Sequence, residues 1–199
     1  FHMAFDTVSN ICGKGSILAQ TIREVVPVKQ NKIVSVLNMK IGGKYPPFII
    51  AEAGMNHNGS LDIAFKLIDE AVNAGCPVIK FQTFTKGSRV SAKVKNANYA
   101  EKAEDLEENI YEMFDRLAMS FEDQAKIFQY GRSKGIEVFS TPFDSDSVDF
   151  LESQHVKLYK IASMDLVNLP LLQYVARTMK PMILSTGMST LSNIEDAIN

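Results

Sequence analysis

Cysteine is scarce in this sequence, and the two that are present, Cys12 and Cys76, lie far apart. Such spacing fits neither a disulfide framework nor a cysteine metal site. A chain with this cysteine usage is expected in a reducing compartment, and we predict the cytoplasm.

Long apolar runs and an excess of positive charge are also lacking. The apolar runs, such as residues 48–51, fall far short of the roughly 20 residues that a membrane-spanning helix requires. The formal net charge is -2, so the chain lacks the basic surface that binds a phosphate backbone. We therefore expect neither a membrane nor a nucleic acid as a partner.

The first residues show no sign of a folded or targeting segment. Residues 1–30 have neither the charged-then-apolar order of a secretory signal nor a clear hydrophobic period. We expect an N-terminal extension of unknown role there, followed by a single domain over residues 31–199.

From Tyr45 onward, one unit recurs: a short apolar run, a polar turn, an amphipathic segment, a Gly or Pro, and another apolar run. The predicted strands cover residues 48–51, 78–81, 136–140, 158–162 and 182–185. The predicted helices cover residues 64–72, 120–135, 148–153 and 169–178, with one more from residue 192. Gly75 and Gly135 are expected at helix C-termini, and Ser120 at a helix N-terminus with Asp123 in the capping-box position.

This alternation predicts an α/β fold with a parallel sheet. About five βα units over this length match the spacing of a (β/α)8 TIM barrel, in which three further units would follow. A five-stranded open, doubly wound sheet is the alternative, although no Gly-x-Gly-x-x-Gly follows the first strand. The charged segment of residues 83–120 is too polar for the core and is expected to cover one end of the barrel.

Polar side chains close every predicted strand, and in parallel α/β folds these ends meet at the functional edge. Lysine and hydroxyl side chains together suit a small anion such as a phosphate or carboxylate. Lys80 lies in an almost continuously apolar strand and needs a partner, for which Glu52 or the ligand is available. Taken singly, a lysine in a strand is more often a solvated edge residue, and a Ser or Thr after a strand more often a turn residue. The set comprises Glu52, Lys80, Gln82, Ser140, Thr141, Lys160, Ser163, Ser185 and Thr186.

Histidine gives a weaker signal. His57, within Asn-His-Asn-Gly, fits a catalytic base or ligand as well as a turn residue. His2 and His155 lie outside the strand-end set, so no two-histidine metal site can be assembled from this chain.

Five motifs together resemble the sialic acid synthase family, which makes N-acetylneuraminate and related legionaminate and pseudaminate products. The resemblance runs from about Lys32 to the last residue. The motifs are IIAEAGMNHNG (49–59), IKFQT (79–83), FSTPFD (139–144), YKIAS (159–163) and ILSTGM (183–188).

The resemblance implies a reaction in which phosphoenolpyruvate condenses with an N-acetylmannosamine-like amino sugar and phosphate leaves. It implies catalytic roles for Glu52, Lys80 and Lys160, with the lysines as electrostatic stabilisers and Glu52 handling protons or orienting the sugar. The residues that it implies for substrate binding are Gln82, Thr141, Ser163, Asp165, Ser185, Asn56 and His57.

Parts of the family pattern are expected outside this sequence. The resemblance implies a divalent Mn or Mg ion bound by two histidines of later strands, a C-terminal antifreeze-like domain and a homodimer. We therefore expect a truncated chain that is inactive alone and that exposes strand edges prone to aggregation. Asp165 stands where the family often has Glu, which leaves the acceptor open among N-acetylmannosamine, a 2,4-diacetamido sugar leading to legionaminate and the pseudaminate precursor.

Two other functions remain open from the residues. A Schiff-base aldolase on the same barrel would use Lys80 or Lys160 as its nucleophile. A non-catalytic, phosphoenolpyruvate-binding barrel would keep the anion site and lack the chemistry.

Overall fold

The computed structural model describes residues 33–90 and 110–199. The expected extension over residues 1–30 and much of the charged segment before residue 110 lie outside the described residues. The chain divides into two compact units, residues 1–48 and residues 49–199.

The described part of the first unit is a short antiparallel hairpin that the sequence reasoning did not predict. Strand β1 (Val34–Val36) pairs with β2 (Met39–Ile41). Leu37 and Asn38 connect them with φ angles of 52° and 63°, which are the left-handed conformations of a two-residue hairpin turn.

The second unit contains a five-stranded parallel sheet in which the strands lie side by side in chain order. Sequential order with a helix between each pair of neighbouring strands is the arrangement of a β/α barrel, and it lacks the reversal of strand order that defines a doubly wound sheet. The predicted α/β class and partial barrel are therefore confirmed. The strands are β3 (Ile50–Gly54), β4 (Val78–Thr83), β5 (Glu137–Pro142), β6 (Tyr159–Ile161) and β7 (Met182–Leu184).

The first predicted strand, over residues 48–51, was placed too early. Pairing begins at Ile50, opposite Val78, and continues to Gly54. Strands β4 and β5 also extend beyond their apolar runs, because ladder hydrogen bonds use backbone groups that polar side chains leave available.

Six helices lie in the described residues, and their capping residues explain where most of them begin. Ser60, Ser120, Asp144, Asn168 and Thr190 each accept a hydrogen bond from a backbone amide of the first helical turn. The predicted cap at Ser120 and the left-handed Gly135, with φ of 74°, are both confirmed. The helix predicted over 148–153 starts earlier, because Asp144 caps it. The helices are α1 (Leu61–Asn73), α2 (Ile110–Leu117), α3 (Phe121–Lys134), α4 (Ser145–Ser153), α5 (Leu169–Ala176) and α6 (Leu191–Ile198).

The sheet has two different faces, because neighbouring residues of a strand point to opposite sides. One face packs against the helices in the main hydrophobic cluster, to which Ala53, Phe81, Val138 and Ile161 contribute. Gly131 of α3 permits a close approach there, since a Cβ at this position would lie 2.2 Å from Val138 Cγ2. The opposite, inner face begins with buried apolar residues and becomes polar toward the carboxyl ends of the strands.

A second hydrophobic cluster lies beyond the end of β4. Helix α2 buries Phe114 and Leu117 there, next to Phe84. This part of residues 83–120 therefore belongs to the core, contrary to the prediction that the segment is too polar. The missed signal was the helical spacing of Ile110, Met113, Phe114 and Leu117.

A polar contact fastens β6 to the helix before it. The Tyr159 hydroxyl donates to Glu152 Oε1 over 2.5 Å, and Lys180 Nζ lies 2.6 Å from the same oxygen. Tyr174 makes a similar but exposed contact with Asp149, at 2.8 Å. In the part of the chain that the structure describes, no helix has the length and apolar character needed to cross a membrane.

Candidate active site

The candidate site lies on the inner face of the sheet, at the carboxyl ends of its strands. In the ladder, Glu52 pairs with Lys80 and Gln82 pairs with Thr141. Lys160 lies in β6, the strand next to β5, and is paired with Ile183 of β7. Because ladder partners share a face, these functional side chains are brought together across four strands.

Glu52 and Lys80 form an ion pair, so Glu52 is the partner of Lys80 among the two, Glu52 or a ligand anion, that the sequence left open. Lys80 Nζ lies 2.7 Å from Glu52 Oε2, with 8% of the lysine side chain and 56% of the glutamate side chain exposed. The carboxylate of Glu52 neutralises a charge that would otherwise be buried alone, and its own exposed part remains accessible to a ligand.

The backbone around Glu52 is irregular, and this shapes the site. The register shifts between Glu52 and Gly54, and Gly54 adopts φ of 52°. A Cβ at Gly54 would lie 3.0 Å from Glu52 Oε1 and 3.7 Å from Gln82 Nε2. Glycine thus leaves open a space bordered by the Glu52 carboxylate and the Gln82 amide.

Lys160 occupies a different environment from Lys80. Its ammonium donates to the Ser185 hydroxyl and to the Ile161 carbonyl oxygen, the latter over 2.8 Å. Burial, with a smaller contribution from the nearby charge of Lys80, lowers the pKa of Lys160 to about 8, while Glu52 acts in the opposite direction. A bound anion would stabilise the charged form of Lys160.

The hydroxyls that close the strands divide between the two faces. Thr141 lies on the inner face and is buried. Ser140 lies on the helix face, where its hydroxyl accepts a hydrogen bond from Thr83 at 2.7 Å. The expectation that both would converge on the ligand is therefore wrong for Ser140, because alternation along β5 turns it away.

Ser163 and Asp165 lie on a short 3-10 turn (Ser163–Asp165) after β6. Asp165 is buried, and Asn168 Nδ2 contacts its Oδ1 at 3.4 Å. Among the described residues, its Oδ2 has no hydrogen-bond partner. Burial raises the pKa of Asp165, against the opposing effects of Asn168 and of the Arg89 charge.

Asn56 and His57 form a tight turn between β3 and α1. The Asn56 amide donates to the Ala53 carbonyl oxygen, and His57 Nδ1 accepts from the Gly59 amide at 3.0 Å. His57 is 3% exposed, and burial lowers its pKa. These contacts give His57 a structural role in the turn and leave its Nε2 as the remaining polar atom.

Arg89 was not among the predicted site residues, although it contacts one of them. Its guanidinium donates to Gln82 Oε1 over 2.6 Å and to Met55 Sδ over 3.2 Å. It also packs against the ring of Phe143, with 4.0 Å between Cζ and the ring centroid. A lone arginine in a loop after a strand carries no pattern that sequence reasoning could have used.

Comparison with known proteins identifies a family for this chain. Residues 67–199 match the NeuB family. The chain belongs to the NeuB family. It is 40% identical over 151 residues to the N,N'-diacetyllegionaminic acid synthase of Campylobacter jejuni, a match that covers 76% of this chain and 45% of that protein.

Other NeuB-family relatives carry related names. The pseudaminic acid synthase of Helicobacter pylori is 34% identical over 154 residues, which cover 77% of this chain and 45% of that protein. The N-acetylneuraminic acid synthetase of Leptospira borgpetersenii, solved in complex with citrate, superposes with a TM-score of 0.69 at 33% identity, covering 84% of this chain and 54% of that one. The chain therefore spans about half the length of these relatives, which are synthases of sialic-type acids.

A metal site was expected from residues outside this sequence. Within residues 33–90 and 110–199, no group of three or more His, Cys, Asp or Glu side chains lies close enough to hold a metal ion. The described part of this NeuB-family chain thus does not fit a metal by itself.

Proposed function

We propose that the inner-face residues form the phosphoenolpyruvate site of a synthase that joins this anion to an N-acetylmannosamine-like amino sugar. The observation that supports this most is the pair of lysines on the inner face of the sheet, Lys80 in β4 and Lys160 in β6. Lys80 is held by Glu52 over 2.7 Å, whereas the ammonium of Lys160 contacts only neutral oxygens. One cation is thus left without a carboxylate partner among the described residues, which suits an anionic ligand.

In this proposal the residues promote the reaction mainly by electrostatic stabilisation. C3 of phosphoenolpyruvate attacks the sugar aldehyde, water adds at C2, and the C2–O bond breaks to release inorganic phosphate and a 2-keto acid. Lys80 and Lys160 would stabilise the carboxylate and the departing phosphate, with Thr141, Ser163 and Ser185 as neutral donors. Glu52, more than half exposed, would move a proton or hold the sugar.

The acceptor is proposed to bind on the side of Gln82, Asp165 and the turn of Asn56 and His57. The names of the relatives point to 2-acetamido and 2,4-diacetamido sugars as the class to test. We further propose that the intact protein acts in the cytoplasm as a homodimer and uses Mn or Mg held by residues outside those described.

Phosphate release by the intact protein tests this function. Phosphoenolpyruvate, manganese and a panel containing N-acetylmannosamine and 2,4-diacetamido hexoses should give sugar-dependent release, which EDTA should suppress. Lys160→Met should lower kcat/KM on the order of 100-fold, as loss of a preorganised charge does. The control Lys126→Met, which removes an exposed lysine on α3, should have no effect.

The outcome that contradicts the proposal is phosphoenolpyruvate binding without release from any sugar. That result would favour the non-catalytic, phosphoenolpyruvate-binding barrel.

A Schiff-base aldolase is the second candidate, and the lowered pKa of Lys160 favours it, because imine formation requires a neutral amine. Borohydride added during turnover should trap such an imine as a covalent mass increase on the peptide that contains Lys160. The condensation proposed above has no imine, so a trapped adduct would exclude it.

A further inference from the structure

Arg89 is held by three aromatic side chains. Its Cζ lies 4.1 Å from the ring centroid of Phe114, 4.0 Å from that of Phe143 and 5.3 Å from that of Phe84. We name these three rings the aromatic clamp. Phe84 also packs edge-on against both other rings, at 5.9 and 6.0 Å, so the clamp is itself a packed unit. A guanidinium held over several ring faces has little freedom to turn.

The loop that carries Arg89 is also locally fixed. Ser88 donates its hydroxyl to the Thr85 carbonyl oxygen at 3.0 Å and accepts from the Thr85 amide at 3.1 Å. This turn directly follows β4, the strand that contains Lys80 and Gln82. Arg89 is therefore held beside Gln82 both by this turn and by the aromatic clamp.

The contact with Arg89 determines which way the Gln82 amide faces. A guanidinium has five donors and no acceptor, so the Gln82 atom at 2.6 Å from it must be the carbonyl oxygen Oε1. The Nε2 group is thereby directed to the other side, toward the space left open by Gly54, where Glu52 Oε1 also lies. Gln82 thus presents hydrogen-bond donors to this space, next to an acceptor from Glu52.

We propose that Arg89 is a positioning residue. Held by the aromatic clamp, Arg89 donates a hydrogen bond to the Gln82 carbonyl oxygen. The Gln82 NH2 group is thereby fixed as a hydrogen-bond donor for an oxygen of the substrate. This inference rests on the proposed function for the identity of that substrate. The Gln82 NH2 group donates a hydrogen bond and the Glu52 carboxylate accepts one. A hydroxyl group can do both, so we expect this pair to contact a hydroxyl of the amino sugar.

A purely structural role for Arg89 predicts something different. If Arg89 only packed against the clamp, its loss would lower stability without changing the Gln82 amide. The two roles can be separated by a spectroscopic signal from Gln82 itself, which does not depend on any activity.

The first test is the side-chain NH2 signal of Gln82 in a 1H–15N spectrum of the intact protein, assigned by its disappearance in Gln82→Ala. Arg89→Met keeps a long side chain in the clamp and removes every donor. It should shift the Gln82 signal and leave that of Gln173, an exposed residue of α5, unchanged. An unchanged Gln82 signal would overturn the proposal.

The second test is kinetic. Arg89→Met should raise KM for the acceptor sugar about 10-fold, the effect of a misplaced neutral hydrogen-bond donor, with KM for phosphoenolpyruvate unchanged. In the Gln82→Ala background the same substitution should have no further effect, because Arg89 acts through Gln82. Additive losses in the double variant would overturn the proposal. If no sugar supports phosphate release while the Gln82 signal still shifts, the proposed function fails and the positioning role stands.

Discussion

The lowered pKa of Lys160 leads to a quantitative prediction about its reactivity. At pH 7.5, a lysine with a pKa of about 8 is roughly one quarter neutral, whereas an ordinary lysine is about one thousandth neutral. Since only the neutral amine reacts with an acylating reagent, Lys160 should be modified far more readily than its exposure suggests.

Competitive acetylation of the intact protein at a series of pH values measures this directly. Peptide mass spectrometry should give a midpoint near 8 for Lys160. The internal control is Lys126, whose pKa is raised by Asp123 and which should remain unreactive over the same range.

Two substitutions test the cause of the shift. Lys80→Met removes a nearby positive charge and should raise the Lys160 midpoint, although burial should keep it below 10.5. Glu52→Gln removes a negative charge and should lower the midpoint further. Inorganic phosphate or phosphoenolpyruvate should raise it, because an anion stabilises the charged form.

The same shift affects stability. Because the folded pKa is below the unfolded value of 10.5, holding Lys160 charged costs up to about 3 kcal/mol below pH 8. The cost disappears as pH rises from 8 to 10.5, so Lys160→Met should stabilise the protein at pH 7 and lose that advantage toward pH 10.5. A Lys160 midpoint of 10 or higher, or no change in it on Lys80→Met, would refute the reasoning.

Three stability predictions can be checked by urea unfolding. Gly131→Ala should cost about 1–3 kcal/mol because its Cβ overlaps the β5 valine, whereas Gly187→Ala, which has open space around it, should change stability by less than about 0.5 kcal/mol. Tyr159→Phe should cost about 1–2 kcal/mol by removing a hydrogen bond to a carboxylate, while the exposed Tyr174→Phe should be close to neutral. Ser120→Ala should cost about 1 kcal/mol through loss of the α3 cap. Equal effects within either matched pair would contradict these assignments.

Local patterns were sufficient to predict most of the sheet and helices of the second unit. Ser120 and Gly135 mark the ends of α3 because capping depends on residues adjacent in sequence. The hairpin of β1 and β2 was missed because its strands are very short and its turn residues, Leu37 and Asn38, lack the glycine that usually marks such a turn.

The site was only partly predictable because it depends on contacts between distant segments. Alternation along β5 places Ser140 and Thr141 on opposite faces of the sheet. Which of the two lies on the face of the site follows only from the register between strands. The link between Arg89 and Gln82 depends on the aromatic clamp, whose rings come from three separate segments. No pattern of neighbouring residues in the sequence predicts a contact between segments that lie so far apart in the chain.

Some site residues lie in strands and others lie on a short turn, and this difference affects how the sugar specificity can be altered. Lys80, Thr141 and Lys160 belong to strands, where changing their spacing would disturb a ladder of backbone hydrogen bonds. Asp165 stands on a short turn fastened chiefly by its own neighbours, Ala162 and Asn168. Under the proposed function, substitutions at Asp165 that keep Ser163 should therefore exchange one acceptor sugar for another while anion affinity persists, so a library of Asp165 variants can be screened against new sugars with phosphoenolpyruvate kept constant.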